Sequence, residues 1–216
     1  MTRIFPIYAL WLCLLSGMAM VASAAMAEDY VEGTHYQRIT PALRTSSAEQ
    51  IEVVEFFAYS CGHCYTFEPM LREWASQQSE DVRVAPSPVV WNDAFRPHAR
   101  AFYAAQALGV LEDVHGAIFA AIHVDRQRLA SDRDIKKVFV DNGVDAAEFD
   151  RAFKSFGVGS QVQQAEARAK SARVSGTPGL MIAGKYRINP RDAGGHANML
   201  KIAEYLIAKE RAAAAG

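Results

Sequence analysis

The chain has 216 residues, three of them cysteine, and a formal net charge of −1. That balance gives a nucleic-acid partner no electrostatic support. Half the residues are apolar and 22% are charged, the composition of a globular protein of one large domain or two small ones.

The first residues read as an export signal. Arg3 supplies a positive start, and residues 4–21 are mostly apolar, interrupted by Pro6, Ser16 and Gly17. Ala25-Met26-Ala27 fits a small-x-small cleavage site before Glu28. The competing reading is a membrane anchor, for which the apolar core is short. Cys13 would leave with a signal of residues 1–27, and Leu10-Trp11-Leu12 before it does not resemble a lipoprotein site. The mature chain, 28–216, then keeps only Cys61 and Cys64. One pair in an exported domain of this size is not a disulfide scaffold. It points to chemistry.

Residues 30–40 are extended in character and are expected to form an edge strand, followed by a loop over 41–50. Residues 51–59 are a near-continuous β-branched and aromatic run with Glu55 inside it, the pattern of a strand covered on both faces. A helix over 64–76 follows, with Phe67, Leu71, Trp74 and Ala75 on its apolar face and a kink expected at Pro69. Residues 82–91 read as a second strand, and Pro86 and Pro88 place it at an edge. From Asn92 the period becomes helical for roughly 80 residues. Asp93 is expected to cap the first helix there. Ser131-x-x-Asp134 and Asp145-x-x-Glu148 open two more, and 161–172 is the last. Two short β runs, 180–183 and 186–188, then flank Gly184-Lys185 as an antiparallel hairpin. Pro190, Gly194 and Gly195 break the chain before a final helix, whose end at 211–216 is expected to fray.

The layout is strand, helix, strand, helical block, hairpin, helix. Without the block it is a mixed sheet with helices on its faces, which is the thioredoxin arrangement, and Cys61-Gly62-His63-Cys64 falls where its first long strand meets a helix. A helix N-terminus offers unpaired N–H groups and partial positive charge, both of which stabilise a thiolate. Cys61 is expected to attack and Cys64, one turn in, to close or resolve the disulfide. The rival for such a pair is half of a zinc site, but zinc normally needs four ligands and no second cysteine pair exists. His63 can stabilise the Cys61 thiolate through its ring, or be a solvated loop histidine. Glu55, if buried, would have a raised pKa and could take a proton from Cys64. Its alternative is a strand-end glutamate reaching water. Thr177-Pro178 precedes the hairpin and could hold a cis or a trans bond; in the first case Thr177 is expected to pair with an extended substrate. His35, His98, His115, His123 and His196 show no metal-ligand spacing.

Taken together, these stretches resemble the DsbA family of periplasmic thiol:disulfide interchange proteins. Residues 53–64 match the family's strand, buried glutamate and active site. Gly176-Thr177-Pro178-Gly179 matches its cis-proline loop, and the helical block matches its inserted domain. The resemblance implies a thioredoxin-like α/β fold in three parts: 28–92 with the Cys-Gly-His-Cys site, a helical insertion at 93–172, and 173–216 with the cis-proline loop. It implies disulfide donation to newly exported proteins, reoxidation by a quinone-linked membrane partner of the DsbB type, roles for Cys61, Cys64, His63, Glu55 and Pro178, and no metal or other cofactor. No dimerising segment is visible, so a monomer is expected. Well-known members carry Pro-His between the cysteines, whereas Gly62-His63 is the pair of protein disulfide isomerases. Reference potentials of about −120 mV for DsbA and about −180 mV for the isomerase differ by roughly 3 kcal/mol. An isomerase or reductase with the same motif, or a metal carrier using Cys61 and Cys64, are the alternatives. Thr177 stands where a valine is common, and Arg83 is the nearest candidate for a basic partner of Glu55.

Overall fold

The strand Ile51–Phe57, β2, organises the sheet in a computed structural model that describes residues 30–47 and 49–216. The expected signal at 1–27, with Cys13, lies outside the described residues. Successive side chains of a strand point to opposite faces. Val53 packs with Phe67 and Leu71 of the following helix, while Val54 and Phe56 join Ala169 and Ala172 on the other face. Both faces are therefore covered, as the unbroken apolar run requires.

Helix α1, Gly62–Ser76, follows β2 and contains Pro69. It leads to β3, Val82–Pro88, which runs parallel to β2 at the sheet edge, where its prolines cost no ladder hydrogen bonds on the outer side. The hairpin strands β4, Gly179–Ile182, and β5, Tyr186–Ile188, pair antiparallel, with β4 against β2. Their turn has positive φ at Ala183 (52°) and Gly184 (67°). A Cβ on Gly184 would run into the Leu43 carbonyl, so only glycine fits. Strand β1, Gln37–Arg38, closes the other edge against β5. It is shorter than the expected 30–40 because the chain turns back at Gly33 (φ 87°).

Between β3 and β4 lies the inserted helical domain. It contains a single turn at Asp93–Phe95, then α2 (Arg96–Ala107), α3 (Leu111–His123), α4 (Asp132–Asp141), α5 (Ala146–Phe153) and α6 (Phe156–Ser171). The first cap differs from expectation. The Asn92 side chain accepts from the Ala94 N–H, and Asp93 instead pairs with Arg96 at 2.9 Å. Ser131 and Asp134 form a reciprocal capping box, and Asp145 caps α5 through the Ala147 and Glu148 N–H groups. Helix α6 begins five residues before the expected 161, because Ser155 caps it and outweighs the helix-breaking tendency of Gly157 and Gly159.

The last segment departs from the sequence reading twice. Pro190–Ala193 forms a short helix, α7, capped by Asn189 and ended by Gly194 in the left-handed region. Helix α8, His196–Ala215, continues through the expected frayed end, where Arg211 grips Asp81 with two hydrogen bonds of 2.7 and 2.9 Å.

The seam between sheet and insertion is apolar. Phe57, Tyr59 and Cys64 share one buried cluster with Phe102, Ile118 and Phe119. At roughly 2 kcal/mol per buried ring, this seam outweighs the surface ion pairs, each worth about 0–1 kcal/mol. Among the described residues, no helix is long and apolar enough to cross a membrane.

Candidate active site

Cys61 is the N-cap residue of α1, with extended backbone (φ −89°, ψ 114°), and its N–H donates to the Ala58 carbonyl at 3.0 Å. That turn leaves the sulfur half-exposed at the helix mouth, while Cys64, one turn in, is fully buried. The two are free thiols. The Cys61 S–H donates to the Thr177 carbonyl at 3.4 Å. The Thr177–Pro178 bond is cis, and Pro178 is buried beside the half-buried Thr177.

The two thiols are pushed in opposite directions. Cys61 is drawn down from 9 to about 5, first by the Cys64 thiol, then, against the effect of its own burial, by Thr177 and the backbone N–H groups of Cys64 and His63. No closed cap bond forms at Cys61, so these N–H groups act as polarised donors facing the sulfur. Cys64 is pushed far up, first by its hydrogen bond to Cys61 and then by burial. One sulfur is therefore ready to ionise while its neighbour holds its proton.

His63 reaches Cys61 through the backbone, not through its ring. The imidazole is exposed and stands edge-on to His196, ring centres 6.0 Å apart. His196, at the start of α8, also packs on Phe67 at 5.1 Å, and burial followed by the His63 charge holds its pKa down.

Glu55 lies on β2 between Pro86 of β3 and Leu180 of β4, and is 1% exposed. Neither carboxyl oxygen has a hydrogen-bond partner. Burial first, then the charges of Glu68 and Cys61, raise its pKa well above the carboxylate range. Arg83 is not its partner. Strand register sets Arg83 opposite Glu52, which it meets at 3.4 Å. Glu55 is three positions after Glu52, an odd offset that puts them on opposite faces of β2.

The residues that sequence reasoning passed over are Glu68 and His115. Glu68 projects from α1, with Arg72 at 3.1 Å from one oxygen and His115 Nε2 at 3.4 Å from the other. His115 Nδ1 meets the Tyr59 hydroxyl at 2.7 Å. The available signal was helical spacing: Glu68 follows Cys64 by four residues and Cys61 by seven, the same helix face. His115 carried no such signal, since its contacts are all tertiary. At the surface, Tyr65 stacks on His123 (4.9 Å, 15°) and Trp91 packs edge-on to Phe95 (5.4 Å). No group of three or more His, Cys, Asp or Glu side chains among the described residues could hold a metal ion.

Two family models match the chain: a thioredoxin model over residues 37–93 and the DSBA-like thioredoxin domain over residues 90–206. The thiol:disulfide interchange protein DsbA of Pseudomonas aeruginosa is 37% identical over 205 residues, covering 93% of this chain and 97% of that protein. Its counterpart in Azotobacter vinelandii is 36% identical, with 93% and 96% covered. The crystal structure of Pseudomonas aeruginosa DsbA superposes with a TM-score of 0.84 at 36% identity, covering 88% of this chain and 99% of that one. The Xylella fastidiosa oxidoreductase DsbA gives 0.77 at 32% identity, with 82% and 96% covered. A dithiol at the mouth of α1 in a thioredoxin-like sheet with a helical insertion, matched along nearly its full length by these relatives, means that the chain belongs to the DsbA family of thiol:disulfide oxidoreductases.

Proposed function

We propose that the enzyme donates the Cys61–Cys64 disulfide to newly exported polypeptides. The observation that carries this reading is the opposite tuning of the two thiols. A disulfide is a strong oxidant when its reduced form is stabilised, and an ionised Cys61 held by Cys64, the Thr177 side chain and two N–H groups supplies that stabilisation.

The client thiolate attacks Cys61 Sγ. The Cys61–Cys64 bond breaks, its electron pair goes to Cys64, and Cys64 takes up a proton. A second client thiolate then attacks the client sulfur of the mixed disulfide, and Cys61 leaves as the thiolate. In reoxidation Cys64 must lose its proton to attack, and Glu55 is the acceptor within the buried layer. His63 serves through its N–H. Thr177 and Pro178 wall the sulfur, and an extended client lies along the Thr177 backbone. Electrons leave through a quinone-linked membrane oxidase of the DsbB type. The protein is secreted to the periplasm by a signal at residues 1–27, acts as a monomer without metal or other cofactor, and divides at 28–92, 93–172 and 173–216.

Equilibration with glutathione at set ratios tests the direction of flow. A potential near about −120 mV is expected; one near about −180 mV would favour isomerisation, the reading that Gly62-His63 supports, and one near about −270 mV would overturn donation.

A further inference from the structure

The imidazole nearest in sequence to the attacking sulfur does not hold it. Cys61 is kept ionised by the Cys64 thiol, the Thr177 side chain and backbone N–H groups, and the ring of His63 is not among these partners. That ring lies instead against His196, with centres 6.0 Å apart and planes 79° apart. His196 is the better anchored of the two. It is the first residue of α8, it is half-buried, and its ring rests on Phe67 at 5.1 Å. Phe67 is itself fully buried, one turn beyond His63 on α1. The chain enters α8 through Gly194 and Gly195, at φ 80° and 126°. The Gly195 N–H donates to the Pro190 carbonyl at 2.8 Å, and its carbonyl accepts from the Met199 N–H at 3.1 Å. An exposed ring on α1 thus meets a fixed ring on α8.

We propose that His196 is a positioning residue for His63: it holds the His63 ring over the start of α8 and off the Cys61 sulfur, which makes the disulfide a milder oxidant than a free His63 ring would. This rests on the reading of Cys61 as the stabilised thiolate. A histidine cation beside a thiolate stabilises it, so a ring drawn aside withholds that stabilisation from the reduced form. An edge-on ring pair is favourable while the two rings are not both charged. His196 is the one that stays neutral. Its packing on Phe67 and the N–H groups that open α8 both disfavour a cation there. The charged groups that face it are His63 and Cys61, and the first adds to this effect while the thiolate opposes it. The bonds made and broken in exchange are those given above, and His196 takes no part in them. It alters only how well the reduced form is held.

Equilibration of the full-length protein with glutathione tests this in four forms: wild type, His196→Ala, His63→Ala and the double variant. In His196→Ala the His63 ring is free to turn to the sulfur. The ratio of reduced to oxidised enzyme at a set glutathione ratio is expected to rise about 2- to 10-fold, the worth of one ring pair. The Cys61 midpoint, read by absorbance at 240 nm, should fall with it. In the His63→Ala background, removing His196 is expected to change neither. His196→Phe keeps a ring between Phe67 and His63 and should restore the wild-type ratio. A shift of equal size with and without His63 overturns the assignment, as does no shift, or one of opposite sign, in His196→Ala. If His196→Ala does not fold, His196→Ser removes the same ring. A wild-type disulfide that resists reduction by glutathione would instead remove the reading of donation, and the differences among the variants would still decide the part played by His196.

Discussion

The mouth of α1 and the layer beneath it treat ionisation in opposite ways. At the mouth, Cys61 is half-exposed, faces first-turn N–H groups and settles near pKa 5. Beneath it, Cys64 and Glu55 are buried and both hold their protons more tightly than they would in water. Different surroundings supply the two effects: the Cys64 thiol first, then Thr177 and the backbone N–H groups, at Cys61; the Cys61 hydrogen bond and then burial at Cys64; and burial first at Glu55. One turn of depth separates a thiol ready to ionise from one that keeps its proton.

Removing either sulfur breaks the comparison outright. Cys61→Ala is expected to abolish exchange with a reduced peptide, while Cys64→Ala should accumulate the Cys61 mixed disulfide, detected by mass spectrometry. Equal accumulation in both would sink the assignment of attacker and resolver. Next in size is Glu55→Gln. It should slow Cys64-dependent release roughly 100-fold, at the low end for a lost acid–base group, yet leave rapid alkylation of Cys61 in place. Stopped-flow release and iodoacetamide labelling separate the two.

Acidity sharpens the comparison without mutation. With Cys61 lowered from 9 to about 5, the folded reduced protein binds fewer protons than the unfolded chain between those values. The Cys61 contribution to stability therefore rises with pH across that window, is complete above pH 9 and is lost as pH falls through about 5. The oxidised protein has no such thiol. Chemical denaturation should show a reduced form that exceeds the oxidised form in stability at pH 7.5 and loses that advantage towards pH 5. Scans stay below pH 8, since Cys64 works the other way once unfolded thiols ionise near 9. A constant difference across the range would contradict the tuning of Cys61. The smallest effect is expected from His63→Ala. Its ring faces His196 and its N–H survives the substitution, so the Cys61 midpoint should rise less than in Cys64→Ala, which removes the foremost hydrogen bond. Absorbance at 240 nm against pH reads both.

Much of this was legible in the chain. Residues 51–59 read as a covered strand, of which 51–57 form one, and the cysteine spacing placed Cys61 outermost. Ser131, Asp134 and Asp145 announced their helices through local hydrogen bonding. What escaped was decided by distant partners. Gly157 and Gly159 argued against a helix that Ser155 starts, and the Arg211 end read as loose until Asp81, 130 residues away, was found against it. The role imagined for Arg83 failed on strand register, which no local pattern specifies. Glu68 and His115 are 47 positions apart and meet only once α1 and α3 are in place.

Phe57 packs on Phe102 and Tyr59 on Phe119 where the sheet meets the helical insertion. Anyone miniaturising this enzyme to its sheet-bearing half would strip that junction bare and leave aromatic rings facing water behind the reactive pair. A trimmed catalyst would need a replacement lining on that side. The insertion is thus part of the reaction chamber's masonry, whatever else it does for clients.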